Sequence, residues 1–281
     1  MSTSPSAVAP ATASERAPRP ARQPRAGRTR RLVTQLGAVA LAFLVWWVAS
    51  FTLPIGVMPS PVATFVRLGA LASVPEFWAA FGTTVATFAA ALAFCTVVGI
   101  PLGLAIGSSS FATQSTRLVF DFLRTIPPIA ILPLVLLTIG ANFQMVLTLT
   151  ILGAIWPILI QSIYAARQGE ALLVEMATSY QVPRGWFIRH IFFPGALPFV
   201  MTGLRIGTTI CLLLTITGEL LGGAPGLGFE IADAQAFYDN ERMYAYVIVS
   251  AALGLLVNAG FYALQRRLLR WHPSVRREDA R

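Results

Sequence analysis

Lysine is absent from all 281 residues, so the 21 basic side chains are all arginine. A P-loop needs a lysine to reach the β- and γ-phosphates, which excludes a Walker-type ATPase within this chain. Charge of either sign is scarce. Charged residues make up 12% of the sequence, about half the roughly 25% of ordinary soluble domains, while 56% is hydrophobic and the mean hydropathy is +0.68. Such a chain belongs in a membrane. The only cysteines, Cys95 and Cys211, lie inside apolar runs, where a thiol behaves as an inert small hydrophobe. His190 and His272 have no second His or Cys at metal-ligand spacing, so no metal site can be built. No cluster of nucleophile, base and orienting group can be assembled either, which argues against an integral-membrane enzyme.

What the sequence does have is long apolar runs. Residues 1–31 are rich in Ala, Pro, Ser, Thr and Arg without periodicity, the composition of a disordered tail. Six spans follow, at Leu32–Leu53, Thr83–Gly107, Leu118–Gly140, Phe143–Ala165, Leu197–Leu221 and Met243–Leu264, each near the roughly 20 residues a helix needs to cross a bilayer. The transmembrane domain runs over residues 32–265, and residues 266–281 form a basic tail. A cleaved signal peptide competes for the first span, given Arg30-Arg31 before it and Val48-Ala49-Ser50 near its end. Its apolar core exceeds the usual 7 to about 15 residues, and Trp46-Trp47 resembles an interfacial belt.

Arginine placement orients the spans. Seven lie in the first 31 residues and six follow Gln265, while Arg117, Arg167, Arg184 and Arg189 fall in two loops of the same side. Arg67 and Arg242 fall on the other side. By the positive-inside rule both termini and those loops are cytoplasmic, and the net charge of +9 reports topology, not a nucleic-acid partner. Gly99, Gly103 and Gly107, and separately Gly203 and Gly207, form small-xxx-small steps that predict closely packed helix seams. Pro101, Pro157 and the group Pro127, Pro128 and Pro133 predict breaks or kinks. Freed backbone groups at that depth line a permeation path or merely shape a bundle.

Between the fourth and fifth spans lies a polar island, residues 168–194. Leu172, Met176 and Tyr180 stand at helical spacing, with Leu173 and Ala177 beside them. Pro183 suits the first position of a second short helix carrying Trp186, Phe187 and Ile191, which Pro194 is expected to stop. Two such helices expose an apolar patch unless lipid headgroups or a partner cover it.

Glu175, Ala177, Ile191 and Pro194 match the spacing E-A-A, three residues, Gly, nine residues, I-x-L-P. That pattern resembles the coupling loop of ABC-importer permeases. The resemblance extends to Pro59-Ser60-Pro61, Leu123 through Pro128, Leu197 through Gly207, and Gly218 through Gly222 with Gly226-Leu227-Gly228. Together these look like the nitrate, sulfonate and taurine group of binding-protein-dependent permeases, over about Leu32 to Trp271. The family implies an all-α polytopic bundle in the inner membrane, working as a pair, a homodimer by the family's pattern. Two ATP-binding subunits hold ATP and Mg, and an extracytoplasmic receptor delivers a small solute such as a nitrate- or sulfonate-type anion. This chain itself binds no cofactor. In that family Leu172, Glu175, Met176, Ala177, Gln181, Val182, Phe187, Ile191 and Pro194 dock the ATP-binding subunit. The sequence departs from the pattern at Met176, Gln181 and Phe193. Gln181 stands where a Gly supplies positive φ, so either a strained residue or a reshaped turn is expected.

Charges within spans mark pathways or internal pairs. Asp121 and Arg124 stand three apart, close enough to pair. Arg205 and Glu219 are too far apart on one helix to meet. With Pro127 and Pro128, Arg124, Arg205 and Glu219 are the pathway or gating candidates; in a member of the family the acidic loop of Glu230, Asp233, Asp239 and Glu241 would face the receptor, or it is only the acid-tolerant side of the topology rule. A carrier driven by an ion gradient is the alternative, though such folds show inverted repeats and no convincing repeat is visible.

Overall fold

The computed structural model describes residues 28–52, 58–168 and 171–270, without the side chains of residues 28–32, 35 and 171–174. The expected tail lies outside the described residues up to residue 27, as does the chain from residue 271. Described secondary structure is helical throughout. In order the helices are α1 (Arg28–Thr52), α2 (Pro61–Leu71), α3 (Pro75–Gly107), α4 (Ser110–Leu123), α5 (Pro128–Ile139), α6 (Phe143–Arg167), α7 (Ala171–Ser179), α8 (Arg184–Phe187), α9 (Phe193–Gly222), α10 (Leu227–Ala236) and α11 (Asn240–Leu268).

Helix α6 is the axis of the bundle, flanked by α3 on one side and α9 on the other. Both glycine stripes face it. A Cβ on Gly103 would sit 2.5 Å from the Leu159 carbonyl oxygen, and one on Gly207 would sit 2.6 Å from Cγ1 of Ile158. Ile158 also lies 3.2 Å from the Cβ position of Gly99, so one side chain fills both seams. Across the second seam the buried hydroxyls of Thr150 and Thr215 are 3.4 Å apart. Packing here depends on backbone meeting backbone, which supplies association where lipid removes any hydrophobic drive between helices.

Helix starts follow local chemistry. Ser60 caps α2, its Oγ accepting from the Ala63 N–H at 3.2 Å with Pro61 just inside. Asn142 caps α6 by accepting from Met145 N–H at 3.0 Å, and Asp239 caps α11 by accepting from Arg242 N–H at 3.1 Å. Helix α3 begins at Pro75, ahead of the expected Thr83, because Pro75 and Glu76 are favourable first-turn residues.

The spans differ from expectation. Four helical stretches are long and apolar enough to cross a membrane, or five if one bent pair counts as a span. The expected third span is that pair, α4 and α5, bent by 79°. Its break falls at residues 124–127, since a residue preceding proline is pushed out of the α region and Pro127-Pro128 bars two in succession. Pro101 and Pro157 do not break α3 or α6, which continue through them. The expected first span appears as α1, whose described apolar stretch, Leu36–Thr52, falls short of a full crossing. Six full spans are therefore not found among the described residues. Helix α1 stands largely exposed and meets α2 through a stack of Phe43 on Phe65, with ring centroids 6.2 Å apart.

Candidate functional site

The island folds as two short helices around a tight turn. Helix α7 ends in a Schellman arrangement, in which Val182 N–H donates to the Ala177 carbonyl at 2.9 Å and Gln181 N–H to the Thr178 carbonyl at 3.1 Å. That motif needs a left-handed residue just past the helix, and Gln181 supplies it with φ 51°. Of the two alternatives posed by the missing glycine, the structure has the strained one. Pro183 follows, and α8 starts directly after it.

The second island helix is not stopped at Pro194. A π turn over Ile188–Phe192 joins α8 to α9, with Phe193 N–H bonded back to the Ile188 carbonyl. Proline clashes with the carbonyl four residues back, and the wider turn ahead of it lets the helix continue with Pro194 in its new first turn. Island and span are thus one connected rod. At its base the Gln168 side chain lies against Gly195, where a Cβ would come within 2.6 Å of Nε2.

Ala177, Gln181, Val182 and Phe187 converge on one groove of about 570 Å³, together with Thr178, Arg184 and Ile188. Glu175 and Met176 are exposed beside it, and Ile191 and Pro194 lie half-buried along the rod. The Leu172 side chain lies outside the described residues. Trp186 stacks on His190 at 4.7 Å instead of joining Phe187 in the groove. Trp186, Tyr180 and Ile188 remain 51%, 78% and 47% exposed, an uncovered apolar surface on an otherwise polar segment.

The intramembrane candidates separate sharply. Arg124 pairs with Asp121 at 3.2 Å, as the spacing predicts, and borders a groove with Pro128, Gly153, Trp156 and Pro157. Pro127 and Pro128 form the hinge of the bent span. Glu219 is fully buried. Its Oε2 accepts from the Thr84 hydroxyl at 2.9 Å and from Gly228 N–H at 3.0 Å, while Leu227 N–H donates to Thr84 at 2.8 Å. Glu219 and Thr84 therefore tie the turn before α10 to α3. Arg205 lies exposed on α9 without a carboxylate partner among the described residues.

The acidic loop is largely neutralised from within. Arg242 binds Glu230 and, at 3.0 Å, Asp233, and Arg67 binds Asp239 at 2.9 Å. The two arginines expected on the outer side are the ones the fold brings to these carboxylates. Sequence reasoning missed this because Arg67 and Asp239 are 172 residues apart.

Among the described residues no group of three or more His, Cys, Asp or Glu gathers in a metal-binding cluster.

Comparison with known proteins covers most of the chain. The taurine transport system permease protein TauC of Escherichia coli (strain K12) is 28% identical over 255 residues, 88% of this chain and 92% of that protein. A putative aliphatic sulfonates transport permease protein, SsuC of Bacillus subtilis (strain 168), is 31% identical over 78% of this chain and 79% of its own length. The nitrate import permease protein NrtB of Synechocystis sp. (strain ATCC 27184 / PCC 6803 / Kazusa) is 34% identical over 57% of each chain. In fold, the chain is similar to a subunit of the MetNI methionine ABC transporter in an inward-facing conformation, with a TM-score of 0.59 and 18% identity over 69% of this chain and 96% of that one. The family described as binding-protein-dependent transport system inner membrane component matches residues 99–270. These matches are to transport permeases, not enzymes, and they place the chain in a membrane as a multi-pass protein. The chain belongs to the family of binding-protein-dependent transport system inner membrane components.

Proposed function

We propose that this chain is the permease half of an ABC importer for a small anion, driven by ATP that separate subunits hydrolyse with Mg. The observation that carries the reading is the island: an exposed apolar groove on two short helices, joined without interruption through the π turn to α9. A subunit seated on Glu175, Ala177, Gln181 and Phe187 pulls or pushes a rod that reaches the middle of the bundle. Leu172, Met176, Val182, Ile191 and Pro194 complete that docking element. Two such permeases, as a homodimer, present two islands to two ATP-binding subunits. An extracytoplasmic receptor delivers the solute to the opposite face, around α10. Both termini and the island lie in the cytoplasm, in keeping with the placement of arginine in the loops.

The taurine, sulfonate and nitrate permeases among the relatives support an anionic solute. Membership of a binding-protein-dependent family speaks against the alternative of a gradient-driven carrier. The test is co-purification of the chain with an ATP-binding subunit and ATP-driven uptake in proteoliposomes. Association that survives Glu175→Arg with Phe187→Ala, or uptake that persists without ATP, removes the reading.

A further inference from the structure

Arg205 stands twelve residues into α9 from Phe193, about 18 Å along its axis at 1.5 Å per residue. It stands inside the apolar span at Leu197–Leu221, where a charged side chain marks a pathway or an internal pair. A bare arginine at the centre of a bilayer costs about 2.5 to 3.5 kcal/mol on insertion scales. Glu219 is about 21 Å further along the same helix and is already held by Thr84 and Gly228. No carboxylate among the described residues pairs with Arg205, so the guanidinium is left for something that enters from outside the chain.

Arg205 borders a groove of about 540 Å³ between α9 and α11 that Thr208, Thr209, Thr217 and Asn258 also line. Thr208 supplies a second and independent sign of a ligand. Threonines along these helices give their hydroxyl proton to the carbonyl four residues back, as Thr87, Thr96, Thr202 and Thr209 do. Thr208 is 4% exposed, and its Oγ1 has no partner. A buried hydroxyl left unpaired costs about 1 to 3 kcal/mol, a penalty that a bound acceptor removes.

We propose that Arg205, Thr208 and Asn258 form a binding site for a small oxyanion inside the membrane, within the translocation path. The guanidinium offers two parallel N–H donors to two oxygens of a planar or tetrahedral oxyanion. The Thr208 hydroxyl and the Asn258 amide supply further donors, and Leu212, Ile216 and Phe261 shape an apolar wall for an alkyl stub. The site rests on the importer reading and deepens it by assigning anion recognition to the permease itself, in addition to any receptor.

Isothermal titration of nitrate, ethanesulfonate and taurine into the purified permease bound to its ATP-binding subunit tests the site. The wild-type complex binds at least one of the three, and Arg205→Gln weakens that binding by about tenfold or more. Arg205→Lys recovers part of the affinity, since charge remains while the bidentate fork is lost. Thr208→Val, which keeps the side chain's shape, weakens binding by a smaller factor and carries the test if Arg205→Gln fails to fold. Absence of saturable binding to the wild type, or unchanged affinity in Thr208→Val together with either Arg205 variant, overturns the proposal. A wild-type complex that assembles and hydrolyses ATP but binds none of the anions rejects this site alone, whereas failure to assemble rejects the importer reading.

Discussion

The seams beside α6 and the island at its C-terminal end are both built from small and apolar residues, yet one is closed and the other open. At the seams Gly103 and Gly207 bring helix backbones together, and Ile158, 1% exposed, fills the space between three helices. On the island Tyr180, Trp186 and Ile188 stay largely uncovered, and Ala177, Gln181, Val182 and Phe187 line an open groove. The seams complete themselves within one chain. The island lacks its counterpart, and the difference separates residues that hold the permease together from residues proposed to connect it to a partner.

The sharpest way to break that comparison is a side chain in the first seam. Gly103→Leu forces a Cβ to within 2.5 Å of the Leu159 carbonyl oxygen, a backbone atom that has nowhere to retreat. Overpacking of this kind costs about 1 to 3 kcal/mol or more, and loss of monodisperse protein in detergent is the expected outcome. Gly82→Ala, on the same helix with nothing within 4 Å, serves as the control and leaves the yield unchanged. The next largest effect lies on the island. Glu175→Arg abolishes ATP-driven uptake while thermal stability stays within about 0.5 kcal/mol of the wild type, as for an exposed surface change. A large loss of stability there would mean that the island is part of the core after all.

The seams were legible in the sequence because a glycine every fourth residue reports its own cause, close approach of another backbone. The bend in the third span was partly legible for the same kind of reason, since Pro127-Pro128 bars helix locally. The passage of α9 through Pro194 was not. A π turn has no compositional signature, and proline reads equally well as a stop or as a first-turn residue. Least legible were the contacts that join distant segments, Thr84 with Glu219 and Arg67 with Asp239. Each residue alone reads as a stray polar group in or near a span. Only the fold shows that two stray groups answer each other, and that no carboxylate among the described residues answers Arg205.

Ion pairing around α10 gives a third and smaller test, because there the chain supplies its own counterpart to a charged surface. Arg242 holds Glu230 and Asp233 with a side chain 25% exposed. Arg242→Ala leaves two partly buried carboxylates facing each other, at a cost between that of a surface pair, about 0 to 1 kcal/mol, and that of a broken buried one, about 3 to 5 kcal/mol. A lowered unfolding midpoint that high salt partly restores is the expected result. Unchanged stability would place this loop with the island, as a surface waiting for a partner.

The smallest effect is the most informative about the island. Gln181 holds φ 51° to let Val182 and Gln181 close the end of α7, a conformation that costs a residue with a Cβ about 1 to 2 kcal/mol. Gln181→Gly removes that strain but frees the unfolded chain, so a net gain of under about 1 kcal/mol is expected. Its side chain also lines the groove that the partner is proposed to fill. If stability rises slightly and ATP-driven uptake is unaffected, the turn alone matters and Gln181 is a tolerated substitute for glycine. If stability rises while association with the ATP-binding subunit weakens, the side chain is a contact and the strain is retained for the partner's sake. Measuring unfolding and association on the same variant separates the two outcomes, because the first depends on φ alone and the second on the amide in the groove.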